Sequence, residues 1–451
     1  MLDVSAIIAA NRFGLGARPE EAGDVARDPQ AWVRNQIYAP YVPPPLLADL
    51  PDAAEYTRQF LEARQQGGDG GVAEFLQRRI RQETLAAEIG ARVQVAVQTR
   101  EPFRERLVQF WSNHFTVSVQ RPVVAPIAGA YERDAIRPHV FGRFADLLIA
   151  ATRHQAMLFY LDNIGSVGPN SRAGQLGRRG INENHAREIL ELHTLGVGGG
   201  YTQNDVRELA KILTGWTVVT PPLARRSGLP ESAVGMTRFA ADAHEPGNKS
   251  LVGHTFNEGG ESEGIAALQF LATHPATARH VATKLARHFV ADDPPSAAVA
   301  RLEKVYLETR GDLAAVSFAI VDLPEIWERP NTKVRAPGDL VIAAYRALDV
   351  KVTAGQLPGT MREMGQPVFA APSPAGWPDR ASDWVGPEAM LRRAEWAVAV
   401  SRRVRSPQSP EVLAGYAIGA VAPPAVRRAI AEADPAEGVA LLLACAEFQR
   451  R

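Results

Sequence analysis

Cysteine is almost absent from the chain: Cys445 is the only one among 451 residues. No intrachain disulfide can form, and no cluster of thiolates can gather a metal ion. Cys445 follows the apolar run Leu441-Leu442-Leu443-Ala444, so an inert buried thiol is the expected role. Excess charge of one sign is missing too, since 50 acidic residues balance 50 basic ones. No global field therefore draws the chain onto nucleic acid or an anionic membrane. The short basic stretches Arg78-Arg79-Ile80-Arg81 and Arg402-Arg403-Val404-Arg405 have carboxylates nearby and no interleaved aromatics, the pattern of solvated helix faces. Long apolar runs are also lacking, and none reaches the roughly 18 residues that a membrane span requires. The start Met1-Leu2-Asp3-Val4-Ser5 carries an acid where a secretory leader carries bases, which makes a cytoplasmic location the default expectation.

Period-two alternation is a further scarcity, and it excludes a large sheet. Apolar residues recur instead at helical spacing, as in Leu107, Val108, Phe110, Trp111, His114 and Phe115 after Pro102, which places them on one side of a helix. The same spacing predicts helices over residues 72–97, 123–137, 144–161, 264–289 and 391–404. The fold class is therefore all-α, a mainly helical bundle assembly. One interruption falls between residues 217 and 255, where Val218-Val219, Met236-Thr237-Arg238-Phe239 and Ser250-Leu251-Val252 sit among Pro and Gly, predicting a small irregular or β-hairpin insertion. Because a single core stops growing near roughly 250–300 residues, the expected organisation is a helical subdomain over 1–216, a crossover over 217–260 and a second helical subdomain over 261–451. The segment from Asn163 to Gly180 is rich in Gly, Ser and Arg without periodicity, and loops of that length are usually functional or disordered.

Chemistry concentrates between Asn182 and Gly196, a stretch that opens on a polar cap and ends on a glycine suited to a left-handed C′ position. A helix of three to four turns is predicted. At about 100° per residue it places Ala186, Ile189, Leu190, Leu192 and His193 on one side and Asn184, Arg187, Glu188 and Glu191 on the other. One account of the polar side is solvation, with Arg187 and Glu191 as an i,i+4 pair. The sharper account makes Glu188 and Glu191, one turn apart with His185 a turn earlier, ligands of a divalent cation or an acid/base pair. His193 reads as a hydrogen-bonded core histidine. Thr202 and Asp205 form a capping box for the next helix. The Gly198-Gly199-Gly200 run lacks the Gly-Lys-Ser/Thr ending and the preceding strand of a phosphate loop. In the irregular crossover, His244 and Lys249 flank a turn and suit an anion or a metal, although surface turn residues look the same, and His114 lies on an apolar face, where by itself it reads as a satisfied core histidine.

Taken together, Asn11-Arg12-Phe13-Gly14, Trp111-Ser112-Asn113-His114-Phe115, Asn182 to Gly196, Leu213-Thr214-Gly215-Trp216, and His244 with Gly247 and Lys249 resemble the bacterial domain-of-unknown-function family 1800. His274-Pro275-Ala276-Thr277-Ala278, Lys284-Leu285, Gly376-Trp377-Pro378 and Trp384 extend the resemblance over nearly the whole chain. The family's common form has Asp after the loop histidine, where this chain has Glu245. The resemblance carries no assigned activity. It does imply a partner, because members are often encoded beside a second uncharacterised family with an alkaline-phosphatase-like fold.

Two functional expectations follow. The first is an enzyme-like site where the Asn182–Gly196 helix meets the His244 loop and His114. There Glu188, Glu191 and Arg187 would be catalytic, Asn184 and Lys249 substrate-binding, and His185, His244 and His114 ligands of a divalent metal ion, with an anionic substrate as the other ligand class. It requires Glu188 and Glu191 to point inward, within reach of His244 or His114. The second is a non-catalytic helical scaffold for the neighbouring family's protein. An enclosed polar cavity favours the first and an exposed apolar patch the second.

Overall fold

The computed structural model describes residues 1–66, 70–177, 180–350, 357–404 and 406–451. Helices dominate, as the spacing predicts. Strands form only two two-stranded antiparallel ribbons among the described residues. The first pairs β1, Trp216–Val218, with β2, Thr237–Phe239, and the second pairs β3, Lys249–Leu251, with β4, His254–Phe256. All four lie at or within a residue of the predicted interruption.

Several predicted helices are cut where one local residue prevents continuation. The 264–289 stretch is two helices, Glu261–Ala272 and Pro275–Phe289. His274 between them is extended, and its Nδ1 accepts from the Ala276 amide at 3.1 Å. His154 does the same for Ala156 and splits the 144–161 stretch into Phe144–Arg153 and Gln155–Tyr160. The 123–137 stretch is a series of short 3₁₀, α and π turns. The outer two predictions hold as Gly70–Gln98 and Pro387–Arg403. On the former, Arg78 pairs with Glu74 and Arg79 with Glu83 at the surface, the solvated face expected of that basic stretch. Arg405 of the other stretch lies outside the described residues.

One contiguous apolar core runs from Leu2 to Phe448. At its centre the rings of Phe13, Phe103, Phe289 and Trp327 meet at centroid separations of 5.2–5.9 Å. The three phenylalanines are fully buried, each contributing roughly 1.5–3 kcal/mol of transfer free energy. This cluster fixes the N-terminal segment and the Pro102–His114 helix against the Pro275–Phe289 helix. The last two helices form the site described below.

Cys445 is half-buried rather than enclosed, its thiol donating to the Leu442 carbonyl, and burial pushes it up to about 12. It stays protonated and inert, as expected. No helix among the described residues is long and apolar enough to cross a membrane.

Candidate functional site

The Asn182–Gly196 segment departs from the regular helix its spacing suggests. It is α-helical over Asn184–Glu188 and then widens to a π turn over Ile189–His193. Thr194 caps it, and Gly196 follows with φ +83°. The glycine is left-handed as predicted, but it lies two residues beyond the cap, and its amide returns to the Leu190 carbonyl. Single π turns inside helices recur at functional sites. Through it Ile189, Leu190 and His193 stay on the buried side that the 100° projection assigns, while Leu192 is only half-buried.

The polar side stays near solvent. Asn184, Arg187, Glu188 and Glu191 are all half-buried. Arg187 pairs with Glu183 at 2.9 Å and with Gln203, not with Glu191. Asn184 contributes its backbone amide to the Asn182 side chain. Burial and the charge of Glu191 push the Glu188 carboxyl above its ordinary range, with Arg187 opposing. Glu191 has the Tyr201 hydroxyl 3.5 Å away. Among the described residues neither carboxylate makes a hydrogen bond or ion pair with His244 or His114. His185 is fully enclosed on the opposite side, neither ring nitrogen has a partner, and burial pushes it down to about 3.

His244 and Lys249 belong to a separate network. The His244 Nδ1 donates to the Thr214 carbonyl at 2.8 Å, and its Nε2 lies 3.1 Å from Glu263 Oε2. Lys249 donates to that same oxygen at 3.1 Å and to the Glu245 carbonyl at 2.5 Å. The Glu245 carboxylate accepts from the amide and side chain of Asn170, fastening the 163–180 segment, of which 178–179 lie outside the described residues. Glu263 and Lys249 are almost wholly buried. Their charges meet at Glu263 Oε2, which makes the buried pair tolerable, while Glu263 Oε1 is buried without a partner. Among the described residues no three of His, Cys, Asp or Glu stand close enough to share a metal ion. His114, His185 and His244 occupy three different settings.

What the sequence reading missed lies on the inner side of the π turn. A cavity of about 490 Å³ opens between the Pro102–His114, Pro275–Phe289 and Pro337–Leu348 helices and the 366–384 loop. The first helix faces it with Arg106, Gln109, Phe110 and Asn113, and the second with His280, Lys284, Arg287 and His288. Both sets recur at the three- and four-residue spacing of one helix face. Six Lys and Arg side chains line the cavity against three Asp, which makes its field cationic.

Each wall is held by a motif named above. Arg12 donates to the Phe289 and Val290 carbonyls and so closes the C-terminal end of the Pro275 helix. Arg106 donates to the Gly14 and Asn11 carbonyls and pairs with Asp339 at 2.9 Å, and Arg451 meets the same carboxylate. Burial pushes Asp339 up, but Arg106, Arg451 and Arg335 outweigh it and hold the carboxyl far below its ordinary range. Asn113 grips the loop: its Oδ1 accepts from the Trp377 amide at 2.7 Å and its Nδ2 donates to the Trp377 carbonyl at 2.8 Å. Gly376 precedes that contact with φ +81°, and a Cβ there would stand 2.4 Å from the Asn113 carbonyl. The Trp384 indole closes onto the Pro378 carbonyl.

Two histidines join the π turn to the cavity. His114 Nε2 lies 3.1 Å from the His193 carbonyl and His280 Nε2 lies 3.0 Å from the Leu192 carbonyl. A carbonyl can only accept, so each imidazole carries its proton on Nε2. The Nδ1 of His114 is buried without a partner, as is the Nε2 of His193, which departs from the satisfied core histidine expected there. Burial holds His114 well below its ordinary value, with the charges of Lys284 and His280 adding to this, and it holds His280 at about 4. Both are neutral at pH 7.

Lys284 stands among these rings. Four other described lysines, Lys211, Lys249, Lys304 and Lys333, are in ion pairs with carboxylates. Lys284 is in none and makes no hydrogen bond. Burial pushes its ammonium down to about 8, with Asp379 opposing and Arg287 adding to the fall. Nothing in the local sequence Thr283-Lys284-Leu285 announces this. The usable signal was compositional: the chain has six lysines in all, and its other positive charges are arginines.

No curated protein and no solved structure matches the chain. The family model described as a protein of unknown function, DUF1800, matches residues 8–450. That span takes in the His244 network and, apart from Arg451, the residues that build the cavity, and the chain belongs to the DUF1800 family.

Proposed function

We propose that the chain is an enzyme that takes a small anionic substrate into the cavity between the Pro102 and Pro275 helices, with Lys284 at its reactive centre. The observation that carries this reading is the unpaired, half-buried Lys284 ammonium in a cationic cavity of about 490 Å³. A partly desolvated charge without a partner costs free energy, and an anionic ligand supplies the missing partner. The cavity's size falls within the range of small-molecule sites, roughly 300–1,000 Å³. Its polar groups converge from three helices and a loop, which favours a ligand site over a scaffold's apolar docking patch.

The substrate-anion expectation thus moves from the outer side of the Asn184 helix to the inner side of its π turn. Glu188, Glu191, Arg187 and Asn184 line the solvent side and have no part in it. His244 and Lys249 are occupied by Glu263. The divalent-cation alternative has no converging donor set among the described residues.

The test is the thermal denaturation midpoint with and without oxalate, an anion that lacks an electrophilic carbonyl. Wild-type protein should be stabilised increasingly with ligand concentration, logarithmically above the Kd, as expected of a ligand that binds only the folded state, and Lys284→Met should lose most of that response. Equal responses in the two proteins would refute the assignment.

A further inference from the structure

We infer that Lys284 captures its substrate covalently, condensing through Nζ with the carbonyl of a small oxoacid to form an imine. This inference rests on the anion-site reading above and adds the substrate class, a compound bearing a carboxylate beside an aldehyde or ketone.

The cavity's choice of cations carries the argument. Where only a fixed positive charge is needed, the walls use arginine: Arg106 and Arg451 hold Asp339, and Arg92 holds Glu132. Arginine does not release its proton in proteins, whereas a lysine in a desolvated site does. The one lysine on these walls is also the one described lysine without an ion pair. A lysine kept merely as a counter-charge would be expected to hold a carboxylate, as the other four do.

The surroundings suit the chemistry. The groups facing Lys284 are His114, His193 and His280, all neutral at pH 7, with Asp379 the attractive charge and Arg287 the repulsive one. Asp379 is itself taken up by His288 at 2.9 Å and by Lys333 at 3.4 Å. No carboxylate therefore competes for the amine, while Arg287 on the next turn of the same helix is placed to receive the substrate's carboxylate.

The step balances without a redox partner. The neutral amine's lone pair forms the C–N bond and the carbonyl oxygen takes up a proton. Water then leaves as the C=N bond forms, so an ammonium and a carbonyl give a protonated imine and one water. Lysines so activated by desolvation or a neighbouring cation are established nucleophiles toward carbonyls.

The experiment incubates the full chain with glyoxylate and cyanoborohydride at pH 7 and maps carboxymethyl-lysine by peptide mass spectrometry. A lysine at about 8 has a ~300-fold larger free-amine fraction at pH 7 than one at its ordinary value, so Lys284 should be modified at least about tenfold faster than any other lysine. Lys284→Arg keeps the charge and should keep the oxalate response while losing the adduct. Lys284→Met is assayed beside it, so that a folding defect in one variant does not decide the result. Modification spread evenly over the lysines, or absent from Lys284, overturns the imine. Oxalate stabilisation of the wild type without a Lys284 adduct overturns the imine alone, whereas no response to oxalate overturns the anion site beneath it.

Discussion

Replacing Lys284 by Met should make the protein more stable at neutral pH, the opposite of what most substitutions in a helix do. Burial holds the ammonium at about 8 rather than 10.5, so the folded state binds that proton less tightly than the unfolded chain by about 3 kcal/mol. Lys284 is only half-buried, so solvent screening takes up part of this and leaves an expected gain of ~2 kcal/mol for Lys284→Met at pH 7. The direction with pH follows from proton counts. Below pH 8 both states carry the proton and the folded state bears the full penalty. Between about 8 and 10.5 the unfolded state keeps a proton that the folded state has released, so wild-type stability relative to the variant rises across that window. Urea denaturation of both proteins at pH 7 and near pH 10 measures it, and the difference cancels every other titrating group. A variant less stable than wild type at pH 7, or a difference that does not change with pH, would refute the claim that Lys284 is an unpaired, partly desolvated charge.

The remaining expectations concern the walls. Gly196→Ala forces a side chain onto a φ of +83° and places a Cβ 2.7 Å from His280 Nδ1, so it should cost more than the ~1 kcal/mol of backbone strain alone, seen as a lowered denaturation midpoint. Asp339→Asn leaves Arg106 and Arg451 facing a neutral group and should destabilise by about 3–5 kcal/mol. Because that carboxyl is held far below its ordinary range, the cost should be full above about pH 4 and shrink as the pH falls further. Asn113→Ala removes both hydrogen bonds to Trp377, and a loss of about 1–3 kcal/mol should come with a weaker oxalate response. Glu188→Gln and Glu191→Gln remove mutually repelling half-exposed charges, so stability should change by no more than about 0.5 kcal/mol and oxalate stabilisation should not change.

Which parts of this fold could be read from sequence depends on whether the signal was local. The capping box at Thr202 and Asp205 is present with both reciprocal bonds, because its geometry is complete within four residues. The ribbons near 217–255 were legible from the clustering of Pro and Gly around short β-branched runs. Pro275 marks a helix start by the ordinary N1 rule, yet the apolar periodicity continues across it, and periodicity alone ran two helices together. His154 and His274 cap helices through Nδ1, a role that Ser, Thr, Asp and Asn fill so much more often that a histidine gives no warning.

The site was less legible, for a reason particular to the Asn184 helix. Up to Glu188 the residues fall on the faces that 3.6 per turn assigns, apart from His185, which is buried. The π turn over Ile189–His193 then frees the Leu192 and His193 carbonyls to meet His280 and His114. Those contacts join residues 88 and 79 positions apart, and no spacing rule connects them. The polar face that looked chemical in projection is thus the solvated one, and the apolar face borders the cavity.

Within that cavity the informative contrast is between two residues usually treated as equivalent. Had the site needed only a positive charge beside Arg287, arginine would have served, since it is the residue the same walls use to hold Asp339 and Glu132, and its planar fork grips a carboxylate in two places where an ammonium offers a point charge. An ammonium at 284 is therefore the weaker choice for binding and the stronger one for chemistry that consumes a lone pair. The surrounding imidazoles fit the same account. The Nε2 protons of His114 and His280 are committed to the π turn, and burial keeps both rings and His193 neutral, so they add no charge to oppose loss of the lysine proton. They also supply no anion to hold that proton in place. A site arranged only to bind would gain from such an anion, and one arranged to release the amine would lose by it.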